Sequence, residues 1–368
     1  MNNTNNRNNT ANTNHTKNID LRDLTRAQLS ELLLSIDLPP ERAPQIFSQL
    51  QRPGLHNIEQ LELKRDIREH LGAHVRLSRL RIKEVESSAD GTRKYILRLE
   101  DGLLIESVLI PGHGRYTLCL SSQAGCAMGC RFCLTAGLGF RRNLRPAEIT
   151  GQVLAVMEDM LRRKMGNGRP RELINNLVFM GMGEPLANYD HLLTALHILM
   201  DQQGLEFTRR RITISTCGLI PALKRLPGAV KVNLAVSLHA ADNDLRDQLM
   251  PINRRHPLDD LLAACRAYPL PRKGIILFAY LMLKGINDQP AAARALSKKL
   301  TGIPCRVNLL PFNESRELPY KRPDKETINE FKAILQQAGY TTIIRDSRGG
   351  DISAACGQLA LRESKTKA

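Results

Sequence analysis

The chain has 368 residues, 42% of them hydrophobic, enough to bury a sizeable core in one large domain with a smaller one beside it. Lys and Arg number 53 against 37 Asp and Glu, and the resulting charge of +16 favours an acidic partner, nucleic acid above all. No apolar run reaches membrane-spanning length and the first residues are Asn-rich, so neither a membrane partner nor a secretory leader is expected, and the chain reads as cytoplasmic. Aromatic residues make up 4% and Trp is absent, which turns the expectation from rows of stacked bases toward recognition of shape and phosphate by Arg and Lys. Eight cysteines, partly bunched and in no even ladder, suit metal and redox chemistry in a reducing compartment better than a disulfide scaffold.

Residues 1–19 are polar and of low complexity and are expected to form a disordered tail. Residues 20–72 read as a small helical domain. Leu21, Leu24, Leu29, Leu32 and Leu33 recur at helical spacing, Ile46, Phe47 and Leu50 follow Pro39-Pro40, and Ile58, Leu61 and Ile67 suggest a third helix. Over 73–111 the period falls toward two, at 75–82, 94–99 and 103–110, with Asp101-Gly102 as a hairpin turn, so this stretch reads as an antiparallel β extension. The main domain, 112–348, alternates apolar runs with helical segments: strands are predicted at 116–120, 177–180, 211–215, 231–237, 275–283, 307–310 and 341–344, and helices include 146–164, 191–201, 258–268 and 325–337. Continuously apolar strands between helices predict an α/β fold with a parallel sheet and crossover helices, which a closed barrel, a partial barrel and a doubly wound sheet would all satisfy. A separate C-terminal segment, 349–368, carries Cys356 between glycines.

Within the main domain, Cys126, Cys130 and Cys133 are spaced C-x3-C-x2-C, and Gly125 and Gly129 free the backbone to turn three thiols toward one point. Three thiolates on a 4Fe-4S cluster leave one iron open for a substrate or cofactor, the arrangement of a reactive cluster. Structural zinc is the alternative, but it requires four ligands and no second C-x2-C or C-x2-H pair lies nearby.

The same spacing resembles that of the radical S-adenosylmethionine (SAM) enzymes. The longer stretches Cys119-Leu-Ser-Ser-Gln-Ala-Gly-Cys126 and Gly139-Phe-Arg-Arg-Asn-Leu144 narrow the resemblance to the RlmN/Cfr family of RNA adenine methyltransferases, over almost the whole chain from Asp20 to Leu359. It implies a partial (βα)6-type barrel, a 4Fe-4S cluster on the three cysteines, SAM as cofactor, and a monomer fed by an electron donor such as flavodoxin. The turns after the predicted strands should share one mouth at their carboxyl ends. There Gly183 and Glu184 match the motif receiving the SAM amino group, and Ser215, Ser237, Leu238, His239 and Asn313 match the other cofactor contacts. By the same resemblance Cys356 carries a methyl group, Cys119 resolves the protein–RNA adduct through a disulfide with Cys356, and Glu106 is the general base that removes the ring proton. The implied reaction is C2 methylation of adenine in 23S rRNA and in tRNA. The alternatives are Cfr-type C8 methylation and a metal-stabilised RNA-binding protein without catalysis. RNA is expected to cross the basic turns at Arg141, Arg142 and Arg145, with Arg209–Arg211 adding to the surface and Lys64 and Arg65 contributing from the helical domain. Cys217, Cys265 and Cys305 receive no role. Leu134, after Cys133, departs from the small residue usual in the family.

Overall fold

The structure, a computed structural model, describes residues 19–112, 114–165, 170–345 and 347–359. The expected tail therefore lies, but for residue 19, outside the described residues.

A two-residue strand β1 (Ile19–Asp20) starts the N-terminal helical unit and pairs in parallel with β2 (Val75–Arg76) at its end. Between them run α1 (Arg26–Ser35), α2 (Ala43–Leu50) and α3 (Arg65–His74). Thr25 opens α1 with a reciprocal cap: its hydroxyl accepts from the Gln28 N–H while its own N–H donates to Gln28 Oε1 at 2.9 Å. Leu29, Leu33, Ile46, Phe47, Leu50 and Leu71 are fully buried in a cluster of their own. Arg22 threads through it, donating to the carbonyls of Leu50, Leu55 and Ser78, and burial lowers its pKa to about 10.

The following strands are β3 (Arg81–Ser87), β4 (Arg93–Arg98), β5 (Leu104–Gly112) and β6 (Arg115–Cys119), each antiparallel to the one before. At their hairpin, Gly102 takes φ +85° and the Asp101 carboxylate accepts the Leu103 N–H. A short ribbon, β7 (Gln123–Gly125) with β8 (Phe140–Asn143), brackets the helical turn α4 (Leu134–Gly137). Thereafter each strand is preceded by one or two helices: α5 (Pro146–Arg162), α6 (Pro170–Leu173), β9 (Asn176–Phe179), α7 (Tyr189–Met200), β10 (Ile212–Thr216), α8 (Ile220–Ala229), β11 (Asn233–Ser237), α9 (Asn243–Leu249), α10 (Leu258–Arg266), β12 (Ile276–Met282), α11 (Pro290–Lys299), β13 (Cys305–Pro311), α12 (Lys325–Gln337) and β14 (Thr341–Ile344).

One sheet joins them in the order β14-β13-β12-β11-β10-β9-β6-β5-β4-β3, parallel from β6 to β14. Its end strands are not paired to each other, which makes it an open, partial barrel of the radical SAM type. The β extension is thus continuous with the parallel sheet through β6, which pairs with β5 on one side and β9 on the other. Two predicted strands start late: Arg209–Arg211 form a tight turn before β10, and β11 begins at Asn233. Helix α5 is buried along most of its length because the sheet covers one side and the N-terminal unit the other, where Asp23 accepts the Ala147 N–H. No helix among the described residues is long and apolar enough to cross a membrane.

Candidate active site

The strands β9 to β13 end around a cavity of about 180 Å³, and the loops at its mouth carry the polar residues. Cys126, Cys130 and Cys133 all line it. Their loop is fixed by short backbone bonds: Cys126 N–H to Gly139 O, Arg131 N–H to Leu249 O and Cys133 N–H to Cys130 O, all 3.0–3.1 Å. Gly125 takes φ +77°, and any Cβ there would overlap the Gly139 carbonyl, so glycine is required for the ribbon to close. Burial raises the Cys126 thiol to about 11, and Cys133 and Glu184 push it the same way; Cys130 is raised by burial and by both partner thiols. Among the described residues no three His, Cys, Asp or Glu side chains close on one point as a mononuclear ion demands. Three thiols from one loop on one cavity are the donor set that suits three irons of a 4Fe-4S cluster. Leu134 is accommodated half-buried at the start of α4, where its N–H donates to Gly357 O at 2.8 Å.

Across the cavity, the turn from Gly181 to Glu184 presses on Leu120–Gln123. A Cβ on Gly183, at φ +96°, would stand 2.5 Å from Gln123 Cβ, and one on Gly181 2.7 Å from Leu120 O. Glu184 is buried, with Oε1 accepting the Leu186 N–H (3.0 Å) and Oε2 the Cys217 N–H (2.8 Å). Burial raises its pKa while those N–H groups oppose the shift, and a ligand cation against the carboxylate would offset the same cost. The close-packed glycines and this carboxylate suit an amino acid moiety.

Ser215, Ser237 and His239 line the same cavity; Leu238 lies between two of them with its side chain in the core, and Asn313 follows the lining Phe312. His239 takes φ +64°, accepts the Leu281 N–H at Nδ1, and stands edge to face with Phe132, centroids 4.7 Å apart. Burial, aided by the Arg246 charge, lowers its pKa to about 3, so the ring is neutral with its proton on Nε2. Arg246 was not anticipated. Fully buried in α9, it donates to the carbonyls of Cys217, Ser237 and Leu238 and to Asn253 Oδ1, tying together the ends of β10 and β11.

Cys356 reaches the cavity from the C-terminal segment. The residue is solvent-accessible, yet enough protein surrounds the thiol to raise its pKa, with Arg345 opposing and Cys133 reinforcing the shift. The segment is pinned at both ends. Asp90 in the β3–β4 turn accepts the Gly349 N–H (3.1 Å), and Asp351 accepts the Ala89 N–H (3.3 Å). Leu134 N–H and the Thr135 hydroxyl bond the carbonyls of Gly357 and Leu359. Cys119, buried at the end of β6, does not line the cavity but neighbours Cys356; burial first and that thiol second raise its pKa.

Glu106 also lies off the cavity, buried on β5 two residues from Val108, the register partner of Cys119. Alternation puts Glu106, Val108 and Cys119 on one face; Ser107 on the other donates to Gln152 of α5. Lys94 Nζ stands 3.5 Å from Glu106 and 3.1 Å from Glu86. Arg142 and Arg145 are engaged in ion pairs: Arg142 is bidentate to Glu148 and bonds Asp101, while Arg145 pairs with Asp20, Asp23 and Glu100. Arg141 is exposed.

An open parallel sheet whose first loop presents three thiols opposite a glycine–carboxylate turn defines a radical SAM enzyme, and the Radical SAM superfamily matches residues 120–295. A radical SAM methyltransferase from Sphaerobacter thermophilus superposes with a TM-score of 0.85 and 41% identity over 93% of this chain and 99% of its own. The dual-specificity RNA methyltransferase RlmN of Desulfotalea psychrophila is 48% identical over 94% of this chain and 96% of its own, and that of Syntrophobacter fumaroxidans 47% over 92% and 97%. The chain belongs to the RlmN/Cfr family of radical SAM RNA adenine methyltransferases, on its RlmN side. It is accordingly an RNA-methylating enzyme that uses a 4Fe-4S cluster and SAM, and not a metal-stabilised binding protein.

Proposed function

We propose that the chain methylates C2 of adenine in 23S rRNA and tRNA by way of a methylated Cys356. What carries the reading is the convergence of Cys126, Cys130, Cys133, Glu184 and Cys356 on one cavity. In this reading the three cysteines hold the cluster, and Gly183, Glu184, Ser215, Ser237, Leu238, His239 and Asn313 hold SAM, Glu184 taking its ammonium. The bound cluster and cofactor supply one-electron cleavage and a hydrogen-abstracting radical. Such chemistry is needed because C2 of adenine is electrophilic and resists an electrophilic methyl group. Cys356 presents the methyl carbon to the ring, Glu106 removes the ring proton, and Cys119 releases the adduct by forming a disulfide with Cys356. The pinned C-terminal segment supports this assignment, since it holds the Cys356 thiol at the cavity.

Residues 20–72 are proposed as an RNA-contacting accessory domain, 73–111 as the β extension carrying Glu106, 112–348 as the radical SAM core, and 349–368 as the segment delivering Cys356. The enzyme would act in the cytoplasm as a monomer, reduced by a donor such as flavodoxin. Anaerobic reconstitution with iron and sulfide tests the reading, with SAM cleavage and the modified nucleoside followed by mass spectrometry. Parent protein should yield 2-methyladenosine, and Cys356→Ala should cleave SAM without methylating. Methylation surviving without Cys356 would overturn the carrier role; 8-methyladenosine would move the enzyme to the Cfr type.

A further inference from the structure

The ribbon β7–β8 presents an anomaly. Phe140 is 46% accessible, and among the described aromatic residues it alone is exposed. Leu138 beside it is 36% accessible, and Arg141 is exposed as well. Together the ring, Leu138 and Arg141 form an apolar and cationic patch on the ribbon that adjoins the cysteine loop.

The backbone that presents the ring is fixed on both sides. Gly139, preceding it, binds the Cys126 N–H through its carbonyl and fills the only space that Gly125 leaves. Arg142, two residues on, is locked by Glu148 and Asp101, and Gln123 Nε2 donates to Asn143 at 2.8 Å. The backbone that carries the ring is thus fixed one residue from the carbonyl that anchors a cavity-lining cysteine.

We propose that Phe140, flanked by Arg141, is a stacking site for an unpaired nucleobase of the RNA, next to the base that enters the cavity. The inference rests on RNA being the substrate. Removing a base from its stack bares the face of its neighbour, and an exposed aromatic ring beside a guanidinium is the chemistry that covers such a face while meeting the adjoining phosphate. The exposed Arg141 favours a polyanion over an apolar protein surface as occupant.

The test uses reconstituted protein and a stem-loop RNA with an unpaired adenosine and 2-aminopurine as its 3′ neighbour. Affinity is read by anisotropy and stacking by 2-aminopurine quenching. Phe140→Ala and Phe140→Leu should weaken binding about 5- to 150-fold and restore the fluorescence, whereas Phe140→Trp stays within about threefold of the parent. Phe140→Ala should leave the salt dependence unchanged, and Arg141→Ala should lower its slope by about one. Binding by Phe140→Leu equal to the parent would overturn stacking in favour of plain apolar contact. A parent dimer abolished by Phe140→Ala in sedimentation would overturn it in favour of a second copy of the chain. If the parent itself binds no RNA, the substrate reading falls and this inference with it; if only the variants match the parent, this inference alone falls.

Discussion

Replacing Gly183 by Ala should damage fold and cofactor binding together. The new methyl would sit 2.5 Å from Gln123 Cβ and 2.8 Å from Gln123 N, atoms too close to the backbone to move aside, at a φ of +96° that L residues avoid. Adopting that conformation costs about 1–2 kcal/mol and the overpacking about 1–3 kcal/mol, so the change destabilises by about 2–5 kcal/mol. With an unfolding entropy of about 2.1 cal/mol/K per residue, the melting temperature should fall by about 3–6 °C. The strain has one outlet, displacement of the turn, which carries Glu184 off the Cys217 N–H; SAM affinity should drop by about tenfold or more, as expected when a charge-assisted contact is misplaced. Gly228 supplies the control. It lies in α8 with nothing within 4 Å of where a Cβ would stand, so Gly228→Ala should stabilise by about 0.5–1 kcal/mol. Scanning calorimetry and equilibrium dialysis with SAM report both. A Gly183→Ala protein that melts with the parent and binds SAM as tightly would refute the argument from close approach.

Other changes have equally definite outcomes. Asp90→Ala unfastens the C-terminal segment, so iodoacetamide should alkylate Cys356 about 3- to 10-fold faster at pH 8, while Asp90→Asn, which keeps an acceptor, changes little; an unchanged rate in the Ala variant would show that the clasp does not hold the segment. Against the cost of burial, the Thr92 hydroxyl and N–H, the Gly349 N–H and the Ser88 hydroxyl hold Asp90 down to about 2, so the clasp is complete above pH 4 and is lost as pH falls through 2. His239, lowered to about 3, should show no titration by NMR between pH 8 and 5. Because the unfolded chain protonates at about 6.5 and the folded one does not, this group should cost about 1.4 kcal/mol of stability per pH unit between those values, visible in urea midpoints. Arg246→Leu strands the carbonyls of Cys217, Ser237 and Leu238 and should cost about 3 kcal/mol or more, with Arg246→Lys recovering only part; a urea midpoint equal to the parent's would contradict the tie it makes between β10 and β11.

What could be read in the sequence was what is short in range. The C-x3-C-x2-C loop is local chemistry, and the parallel strands announce themselves as continuous apolar runs because both faces are covered. The ribbon β7–β8 escaped notice because strands of three and four residues carry no period, and its register depends on Gly125 meeting Gly139. Arg246 sits in Asn-Asp-Leu-Arg-Asp, which reads as a solvated helix face; its partners are carbonyls that two strand ends bring to one place only in the folded chain. Arg142 and Arg145 looked like a basic surface because, Glu148 apart, their acidic partners Asp20, Asp23, Glu100 and Asp101 lie 41 to 125 positions upstream. Glu106 reads as a strand residue, and only the register with Cys119 puts it on the face that looks inward.

The clasp between Asp90 and Gly349 also bears on how the enzyme is made. Its partners are 259 residues apart, and the Thr135 bond to Leu359 spans 224. Loops of that size close late, since their entropy is repaid only once the sheet between them exists. A ribosome must pass residue 357 before the last wall of the cavity can be set in place. Nascent chains stalled short of that point would expose the cysteine loop to oxidants and chelators without the segment that covers it.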